Sequence, residues 1–228
     1  MVNYTHKVPH FSKRKFRLLL KLFSQELTAV QAANISGLNR NTVNLHYKRI
    51  RQKILKNAKQ NSLKNADHVQ IDETYFACKK QFFKQFELPA EEVTVLGLAT
   101  ACGKVRFEVI QKTNHACILP IIMESCAPGA VIYTDSHKVY ECLKKLEFKH
   151  SAINHNEDEY ARYEGGNCIT TNRAEGMFGC LKVWLVKFRG LRVEDYELYV
   201  KEFEWRFNNR RIDLYKLLLK MYRAKDKI

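Results

Sequence analysis

From residue 69 onward, apolar runs of strand length alternate with segments of helical periodicity, and their order restricts the fold to a mixed α/β sheet. The patterns that alternate or are continuously apolar predict five strands, at 69–77, 93–100, 104–111, 131–134 and 149–155. Apolar residues three and four apart predict three helices, at 114–125, 138–146 and from 171 onward. A glycine-containing turn joins the second and third strands, so these should form an antiparallel hairpin, while helices connect the later strands.

Two of these strands carry an aspartate at their end, and the helix from 171 carries a glutamate. Asp72 lies in the first strand, Asp135 ends the fourth, and Glu175 lies in the helix that starts near 171. The order β-β-β-α-β-α-β-α predicts a ribonuclease-H-like mixed sheet in which the first and fourth strands are neighbours. We therefore expect the two aspartates to lie close together.

Three carboxylates in this arrangement suit metal-dependent phosphodiester chemistry. Two Mg²⁺ ions about 3.5–4 Å apart can activate an oxygen nucleophile and stabilise the leaving oxygen. Mg²⁺ prefers hard oxygen ligands, and Mn²⁺ accepts the same ones. We predict that Asp72 bridges the two ions, with Asp135 on one and Glu175 on the other, and that metal binding weakens as the pH falls.

Each acid also has an ordinary structural interpretation. Asp72 could bond to a loop, with Glu73 as the ligand, although strand alternation would point Glu73 to the opposite face. Asp135 could cap the helix that follows it, and Glu175 could be a solvated helix residue. Asn172 shares a helix face with Glu175 and is an alternative third ligand.

Two further sets of polar side chains accompany the acids. Lys182 lies two turns after Glu175 on roughly the same face, where it could contact a phosphate or simply be a surface lysine. His150 and His155 flank the fifth strand. Two histidines without further ligands give weak support for zinc, so core packing is the favoured interpretation, ahead of DNA contact or water positioning.

The positive charge of the chain is concentrated at its N-terminus. The net charge is +15, yet residues 1–66 alone hold 14 Lys/Arg and a single acid, Glu26, whereas the remaining 162 residues hold 25 Lys/Arg and 23 Asp/Glu. Such a basic segment is attracted to phosphate by charge and counterion release. A solvated basic surface and attraction to acidic lipid are the alternatives, and nucleic acid is favoured because the segment also has a DNA-binding pattern.

That pattern is a helix-turn-helix within residues 1–55. Ser12 is placed to cap a first helix, an alanine-rich helix follows Thr28, and Gly37 suits a left-handed turn before the next helix. In that last helix Val43, Tyr47 and Ile50 should face inward. Its polar side chains could reach base edges and phosphates. An ordinary basic three-helix bundle is the alternative, and the excess of positive charge favours DNA contact. The predicted DNA-binding residues are Arg40, Asn41, Asn44 and Lys48.

The remaining segments complete the predicted organisation. Residues 56–66 have little apolar content and indicate a linker. The α/β domain then occupies 67–228, and its last part, from 194, is predicted to form one or two helices packed on the sheet and interrupted near Asn208. The fold class is thus an α/β, ribonuclease-H-like mixed-sheet domain preceded by a small all-α helix-turn-helix domain.

Cysteine usage and hydropathy indicate a cytoplasmic protein. The seven cysteines are odd in number and include no C-x-x-C pair, so a zinc ribbon is unsupported and small buried side chains are expected. Neither a signal peptide nor an apolar run of membrane-spanning length is evident. We expect no membrane partner and a cytoplasmic location.

Several stretches together resemble the DDE transposases of insertion-sequence family 1595, which carry the ISXO-two-like transposase domain. The resemblance is strongest to the compact branch typified by insertion sequence 1016, and it covers about residues 67–212. Besides the spaced His150 and His155 and the following Lys182, the matching stretches are IDETY at 71–75, YTD at 133–135, TNRAE at 171–175 and EFEWRFNNR at 202–210.

The resemblance implies a catalytic domain that cuts and joins DNA at the terminal inverted repeats of an insertion sequence. It assigns Asp72, Asp135 and Glu175 to the acidic triad, and because some branches use asparagine as third residue, Asn172 is retained. Many relatives begin with a cysteine zinc ribbon, which this sequence lacks. The expected partner is double-stranded DNA, both repeats and target, bound by at least a homodimer in a synaptic complex.

Three hypotheses therefore follow from the sequence. The leading one is a transposase that hydrolyses DNA at the repeat ends and then uses the freed 3′-OH to attack target DNA. The second is a DNA-binding regulator whose sheet domain is not catalytic. The third is a metal-dependent nuclease without end specificity, which would cut unrelated DNA as readily and would not join strands.

Overall fold

The computed structural model describes residues 12–60, 63–78, 91–153, 161–164, 167–188 and 191–223, which fold into two compact units. The first unit comprises residues 1–56 and 209–228, and the second comprises residues 57–208. No helix among the described residues is both long enough and apolar enough to cross a membrane.

The elements that the structure describes in the first unit are all helices. Its N-terminal helices are α1 (Lys13–Ser24), α2 (Ala29–Ser36) and α3 (Arg40–Gln60). Ser12 caps α1 by accepting from the Lys15 amide, as its position predicted, and Thr28 forms a capping box with Gln31 at the start of α2. Gly37 ends α2 in the left-handed conformation, with a φ of 66°, which turns the chain into α3.

The C-terminal helix α7 (Leu214–Arg223) belongs to this same unit. The Tyr222 ring packs edge-on against Phe16 of α1, with ring centroids 5.1 Å apart. This position differs from the predicted α/β domain of residues 67–228, because an amphipathic pattern shows that one face of a helix is buried but does not identify what covers it. The predicted break near Asn208 is where α6 (Tyr196–Asn208) ends.

The second unit is built on a five-stranded mixed sheet in the order β3-β2-β1-β4-β5. β1 and β2 pair antiparallel, as do β2 and β3, whereas β4 runs parallel to β1 and β5 parallel to β4. The predicted adjacency of the first and fourth strands is therefore correct. The strands are β1 (Ala66–Cys78), β2 (Glu91–Thr100), β3 (Val105–Ile110), β4 (Cys126–Asp135) and β5 (Lys149–Ile153).

Apolar side chains pack on both faces of this sheet. On one face, α5 (Asn172–Leu185) and α6 cover alternate residues of β2 and β3, including Val95 and Phe107. On the other, α4 (His115–Ser125) and a 3-10 helix (Lys138–Lys145) cover Ile71 of β1 and Ile132 of β4. Because side chains alternate along a strand, the neighbours of Ile71 and Ile132 lie on the α5 face.

Two local features differ from the sequence-based expectation. A two-stranded antiparallel sheet of β6 (Ala161–Glu164) and β7 (Asn167–Thr170) precedes α5, and the sequence pattern did not predict these strands. Residues 56–60, assigned to a linker, continue α3 as helix. Only a few residues then separate the end of α3 from the start of β1.

α6 covers the outer edge of the sheet. β3 is an edge strand, and its Phe107 amide donates to the Glu204 carboxylate at 2.7 Å. Both backbone groups of Val105 bond to the Asn208 side chain. The Val105 amide donates to Asn208 Oδ1 at 2.8 Å, and Asn208 Nδ2 donates to the Val105 carbonyl at 2.7 Å. Side chains of a helix thus satisfy backbone groups that an open edge would expose.

Gly97 of β2 lies where α5 approaches the sheet most closely. A Cβ at this position would lie 2.3 Å from the Met177 methyl carbon and 2.6 Å from the Phe178 ring. Gly97 is also the direct cross-strand partner of Asp72. The absence of a side chain therefore sets the height of α5 above the strand that carries this aspartate.

Replacing Gly97 by alanine is expected to lower the free energy of unfolding by about 1–3 kcal/mol, because the buried Met177 and Phe178 must move to make room. Urea denaturation measures the effect. The Met177→Ala background lacks the closest clashing group. In that background, Gly97→Ala should lower the free energy of unfolding by less than it does in the wild type. An equal cost in both backgrounds would show that contact with Met177 is not the cause.

Candidate active site

Asp72 and Asp135 lie on the same face of neighbouring strands. In the parallel pairing of β1 with β4, Gln70 is opposite Tyr133, and each aspartate follows two residues later on its own strand. Two residues of parallel strand span about 6.6 Å and return the side chain to the same face. Both aspartates are half-buried. The sequence prediction that they end close together agrees with this geometry.

The helix that carries Glu175 starts directly over this face. The Gln70 side chain, only 6% exposed, accepts hydrogen bonds from the Arg173 amide at 2.8 Å and the Ala174 amide at 3.2 Å. These amides belong to the first turn of α5, which has no intrahelical acceptor for them. Gln70 therefore ties the start of α5 to β1 two residues from Asp72.

The sequence pattern alone does not identify Gln70 as a residue of this site. The available signal was a polar side chain in an apolar strand, on the same face as Asp72. Buried amides are normally hydrogen-bonded, so a partner was to be expected, but the sequence could not identify α5 as that partner.

The carboxylates are close enough to affect one another. Burial is the main cause that raises the pKa of Asp72 to about 6, and the negative charges of Glu73, Asp135 and Glu175 raise it further, against the opposing hydrogen bond from the Glu73 amide. A carboxylate whose charge is disfavoured by burial and by like charges is a typical feature of a cation site or a catalytic site.

Replacing Asp72 by asparagine should therefore stabilise the metal-free protein at neutral pH. The carboxyl has its ordinary pKa of 3.8 in the unfolded chain and a pKa of about 6 in the folded protein, so the folded state loses stability as the pH rises between these values. Above that window the full penalty, up to about 3 kcal/mol, remains, and the amide removes it. Urea denaturation in EDTA at pH 7 and at pH 3.5 measures the difference.

At the lower pH the stabilising effect should vanish, because the wild-type carboxyl is then protonated in both states. Asp67→Asn is a suitable control, since Asp67 is an exposed aspartate of the same strand. Equal stability of Asp72→Asn and wild type at both pH values would contradict the raised pKa.

Glu73, the neighbour considered as an alternative ligand, is held on the other side of β1. The buried Tyr140 hydroxyl of the 3-10 helix donates a hydrogen bond to its carboxylate. Burial raises the pKa of Glu73, the Tyr140 hydrogen bond lowers it, and the charge of Asp135 raises it. Tyr140 itself has its pKa raised by burial and by the same carboxylates. Glu73 thus already has a structural partner.

Each of the three predicted ligands accepts a local hydrogen bond. Asp72 accepts from the Glu73 amide at 2.9 Å, and Asp135 from the His137 amide at 3.1 Å. The Thr171 hydroxyl donates to Glu175 at 2.8 Å. With these side-chain orientations, the described residues contain no group of three or more His, Cys, Asp or Glu side chains arranged to hold a metal ion.

The other predicted residues of this unit lie at or near the surface. Asn172 and Lys182 are exposed on α5, and the Asn172 amide donates to the Thr170 hydroxyl. His150 is partly buried, and its Nε2 lies 2.9 Å from the Thr134 hydroxyl, which fits the packing interpretation. Burial and the nearby Lys144 lower the pKa of His150. His155 lies outside the described residues.

The helical unit shows the predicted division of α3 into two faces. Val43, Tyr47 and Ile50 are at most 2% exposed and form the inner face. The candidate DNA-binding side chains all lie on the exposed face: Arg40, Asn41, Asn44 and Lys48.

Comparison with known families identifies the second unit. The family described as the ISXO2-like transposase domain matches residues 63–208, which is most of the chain. The chain belongs to this transposase family. The resemblance inferred from the short motifs is thereby confirmed.

Among curated proteins, a transposase-like protein of Haemophilus influenzae is 40% identical over 109 residues, which is 48% of this chain and 85% of that protein. Among solved structures, the pre-cleavage Mos1 transpososome covers 93% of this chain and 80% of its own, with 11% identity and a TM-score of 0.29. A mariner Mos1 paired-end complex with Mg covers 97% of this chain and 83% of its own, with 11% identity and a TM-score of 0.31. At these TM-scores the two structures add nothing to the assignment.

Proposed function

We propose that this transposase binds the terminal inverted repeats of an insertion sequence and catalyses metal-dependent DNA strand cleavage and strand transfer. The observation that carries the proposal is the convergence of Asp72, Asp135 and Glu175 at one place on the sheet. Two neighbouring parallel strands bring the aspartates together, and Gln70 fixes the start of the glutamate helix beside them.

The strand order supports a ribonuclease-H-like architecture for the catalytic domain. Three antiparallel strands followed by two parallel ones, with β1 at the centre, is the arrangement expected from the order of elements in the sequence. In open α/β sheets, ligands commonly bind beyond the carboxyl ends of the parallel strands. Asp135, the last residue of β4, lies at such an end.

The donor set fits divalent cations. Carboxylates are the hard oxygen ligands that Mg²⁺ and Mn²⁺ prefer. A bound cation would offset both the burial and the mutual repulsion that raise the pKa of Asp72. We assign Asp72, Asp135 and Glu175 as ligands of two ions, with Asn172 as an additional candidate. Bound there, the cations would activate the attacking oxygen and stabilise the leaving oxygen.

The hydrogen bonds that orient these carboxylates must also leave oxygen atoms available to the cations. Glu175 has to exchange its hydrogen bond with Thr171 for the cation, and Asp135 has one carboxylate oxygen not engaged by the His137 amide. Lys182, exposed two turns further along α5, is assigned to a DNA phosphate. Protonation of Asp72 near pH 6 would compete with cation binding, so activity should fall below that pH.

DNA recognition is assigned to the helical unit. α2, the Gly37 turn and α3 follow the helix-turn-helix order, and the exposed face of α3 presents groups that contact bases and phosphates. The excess of basic residues in 1–66 supplies the phosphate attraction. The proposed contacts come from Arg40, Asn41, Asn44 and Lys48. The substrates are double-stranded repeat and target DNA at the bacterial nucleoid, held by a homodimer or larger synaptic assembly.

A cleavage-and-joining assay tests the proposal. Full-length protein is incubated with DNA that carries the flanking inverted repeats, in Mg²⁺ or Mn²⁺, beside a Glu175→Gln variant and with a scrambled repeat as control. We expect nicks at the repeat ends and joined products from the wild type, and neither from the variant, because an amide is a poor ligand for these cations.

Two other outcomes would replace the proposal. Tight repeat binding with no cleavage in either metal would indicate a DNA-binding regulator. Equal cleavage of scrambled DNA without joined products would indicate a nuclease that lacks end specificity. Activity retained in Glu175→Gln but lost in Asn172→Ala would move the third ligand to Asn172.

A further inference from the structure

A cleft beside the three acids is not explained by cation binding. It has a volume of about 260 Å³ and is lined by residues of β1, β4 and the first turn of α5, including His68, Gln70, Tyr133 and Arg173. Gln70 precedes Asp72 by two residues, and Tyr133 precedes Asp135 by two. The cleft therefore lies on the same face of the sheet, about 6.6 Å from the aspartates toward the N-terminal ends of β1 and β4.

The cleft differs from the neighbouring acid cluster in its charge. Arg173 and His68 are exposed at its rim, and no Asp or Glu is among the described residues that line it. The first amides of α5 are already bonded to side chains, to Thr170 at residue 172 and to Gln70 at residues 173 and 174. Attraction for an anion therefore comes from the Arg173 guanidinium. Its Nη1 donates a long hydrogen bond to the Thr100 carbonyl at 3.4 Å, and its remaining donors can contact a phosphate.

The cleft also offers an aromatic surface and a hydrogen-bond donor. Tyr133 is partly exposed on its wall, where a base could stack on the ring. The Gln70 carbonyl oxygen is occupied by the α5 amides, whereas its amide nitrogen makes no hydrogen bond to any other described residue. That nitrogen remains as a donor to a base edge.

We propose that this cleft is a subsite for one nucleotide of the DNA strand that is cut, adjacent to the scissile phosphate, with its base on Tyr133 and its phosphate on Arg173. The inference rests on the proposed function, since it takes the scissile phosphate to lie at the acids. A continuous strand accounts for the two neighbouring sites of opposite charge: cations offset the acids at one, and Arg173 binds the next phosphate at the other.

Photocrosslinking and affinity measurements locate this nucleotide without cleavage. Repeat-end duplexes carry 5-iododeoxyuridine at one position at a time on either side of the cut and are irradiated with wild-type protein in EDTA. We expect a crosslink from one position, or two adjacent ones, to the peptide that contains Tyr133. It should disappear in Tyr133→Ala and persist in Tyr75→Ala, a tyrosine of β1 that is 48% exposed.

Abasic substitutions then test the stacking contact. Tyr133→Ala should weaken binding of intact DNA about tenfold, and Tyr133→Phe should bind like wild type, because the ring makes the contact. An abasic site at the crosslinked position should weaken wild-type binding equally and abolish the difference between wild type and Tyr133→Ala. Arg173→Ala should weaken binding with or without that base, and Arg173→Lys should restore part of it.

The possible failures are distinguishable. Two results would overturn this inference and leave the proposed function intact. One is crosslinking only to peptides outside the cleft, and the other is a loss of DNA affinity in Tyr133→Ala that no abasic position removes. A crosslink in the cleft without cleavage in Mg²⁺ or Mn²⁺ would support the subsite and overturn the proposed catalysis. No binding to DNA would overturn both. Thermal unfolding of each variant within a few degrees of wild type excludes misfolding as the cause.

Discussion

Asp135→Asn is expected to lower the rate of DNA cleavage at least about a thousandfold while leaving DNA affinity within a few-fold. The replacement keeps the shape of the side chain and an oxygen that can accept the His137 amide hydrogen bond, so the end of β4 should not rearrange. It removes the negative charge, and a neutral amide is a much weaker ligand for Mg²⁺. The loss should therefore fall on catalysis alone.

The measurement combines single-turnover cleavage of a repeat-end duplex with an affinity assay on the same DNA in EDTA. Asp67→Asn, an exposed aspartate of β1, serves as the matched control and should cleave like wild type. Loss of affinity together with cleavage would point to misfolding, and near-normal cleavage would remove Asp135 from the ligand set. Isothermal titration with Mn²⁺ gives an independent readout, because weaker metal binding is expected in Asp135→Asn even without DNA.

The sequence could predict the placement of the aspartates because it depends on rules that act locally. Strand periodicity identifies β1 and β4, and the order of elements makes them neighbours. Asp135 then ends β4, whereas Asp72 lies within β1, six residues before its end, on the face that β1 shares with Asp135. For Glu175, helical periodicity predicted the helix that carries it, but not the face of the sheet that this helix covers or the contact with Gln70 that fixes it there.

What the sequence did not predict depends on which surfaces meet. Gln70 acts through α5, which follows it by about a hundred residues, and Tyr140 acts on Glu73 from a different element. Gly97 gave no signal of its own, because its importance comes only from the side chains of α5 that approach it. Partners distant in sequence have to be known before such roles can be assigned, and one sequence does not contain them.

The motif at 202–210 was recognised as a family signature, but its role in the fold was not predicted. The contacts of Glu204 and Asn208 with β3 now give that role, since this helix closes the open edge of the sheet. An unpaired edge is an aggregation hazard, so a helix with acceptors at these spacings protects the domain as well as stabilising it.

Glu204→Leu is therefore expected to lower the free energy of unfolding by about 3–5 kcal/mol. Glu204 is 6% exposed and accepts from both the Phe107 amide at 2.7 Å and the Lys201 ammonium at 3.0 Å. Leucine leaves that amide without its acceptor, and it leaves a buried ammonium with Glu108 as its only remaining partner among these contacts. Unpaired buried groups of this kind cost more than the net value of the bonds that are lost.

Urea denaturation of the full-length protein measures this loss, with Glu194→Leu as control. Glu194 pairs with Arg192 at the surface, where both side chains are 63% exposed, so its replacement should change stability by no more than about 0.5 kcal/mol. Adding Lys201→Met to Glu204→Leu removes the buried ammonium that has lost its Glu204 partner. The double variant should recover part of the lost free energy of unfolding, because an apolar pair can replace a buried ion pair. If the double variant were less stable than Glu204→Leu alone, the ammonium would not be the source of the cost, and the edge contact with Phe107 would account for it instead.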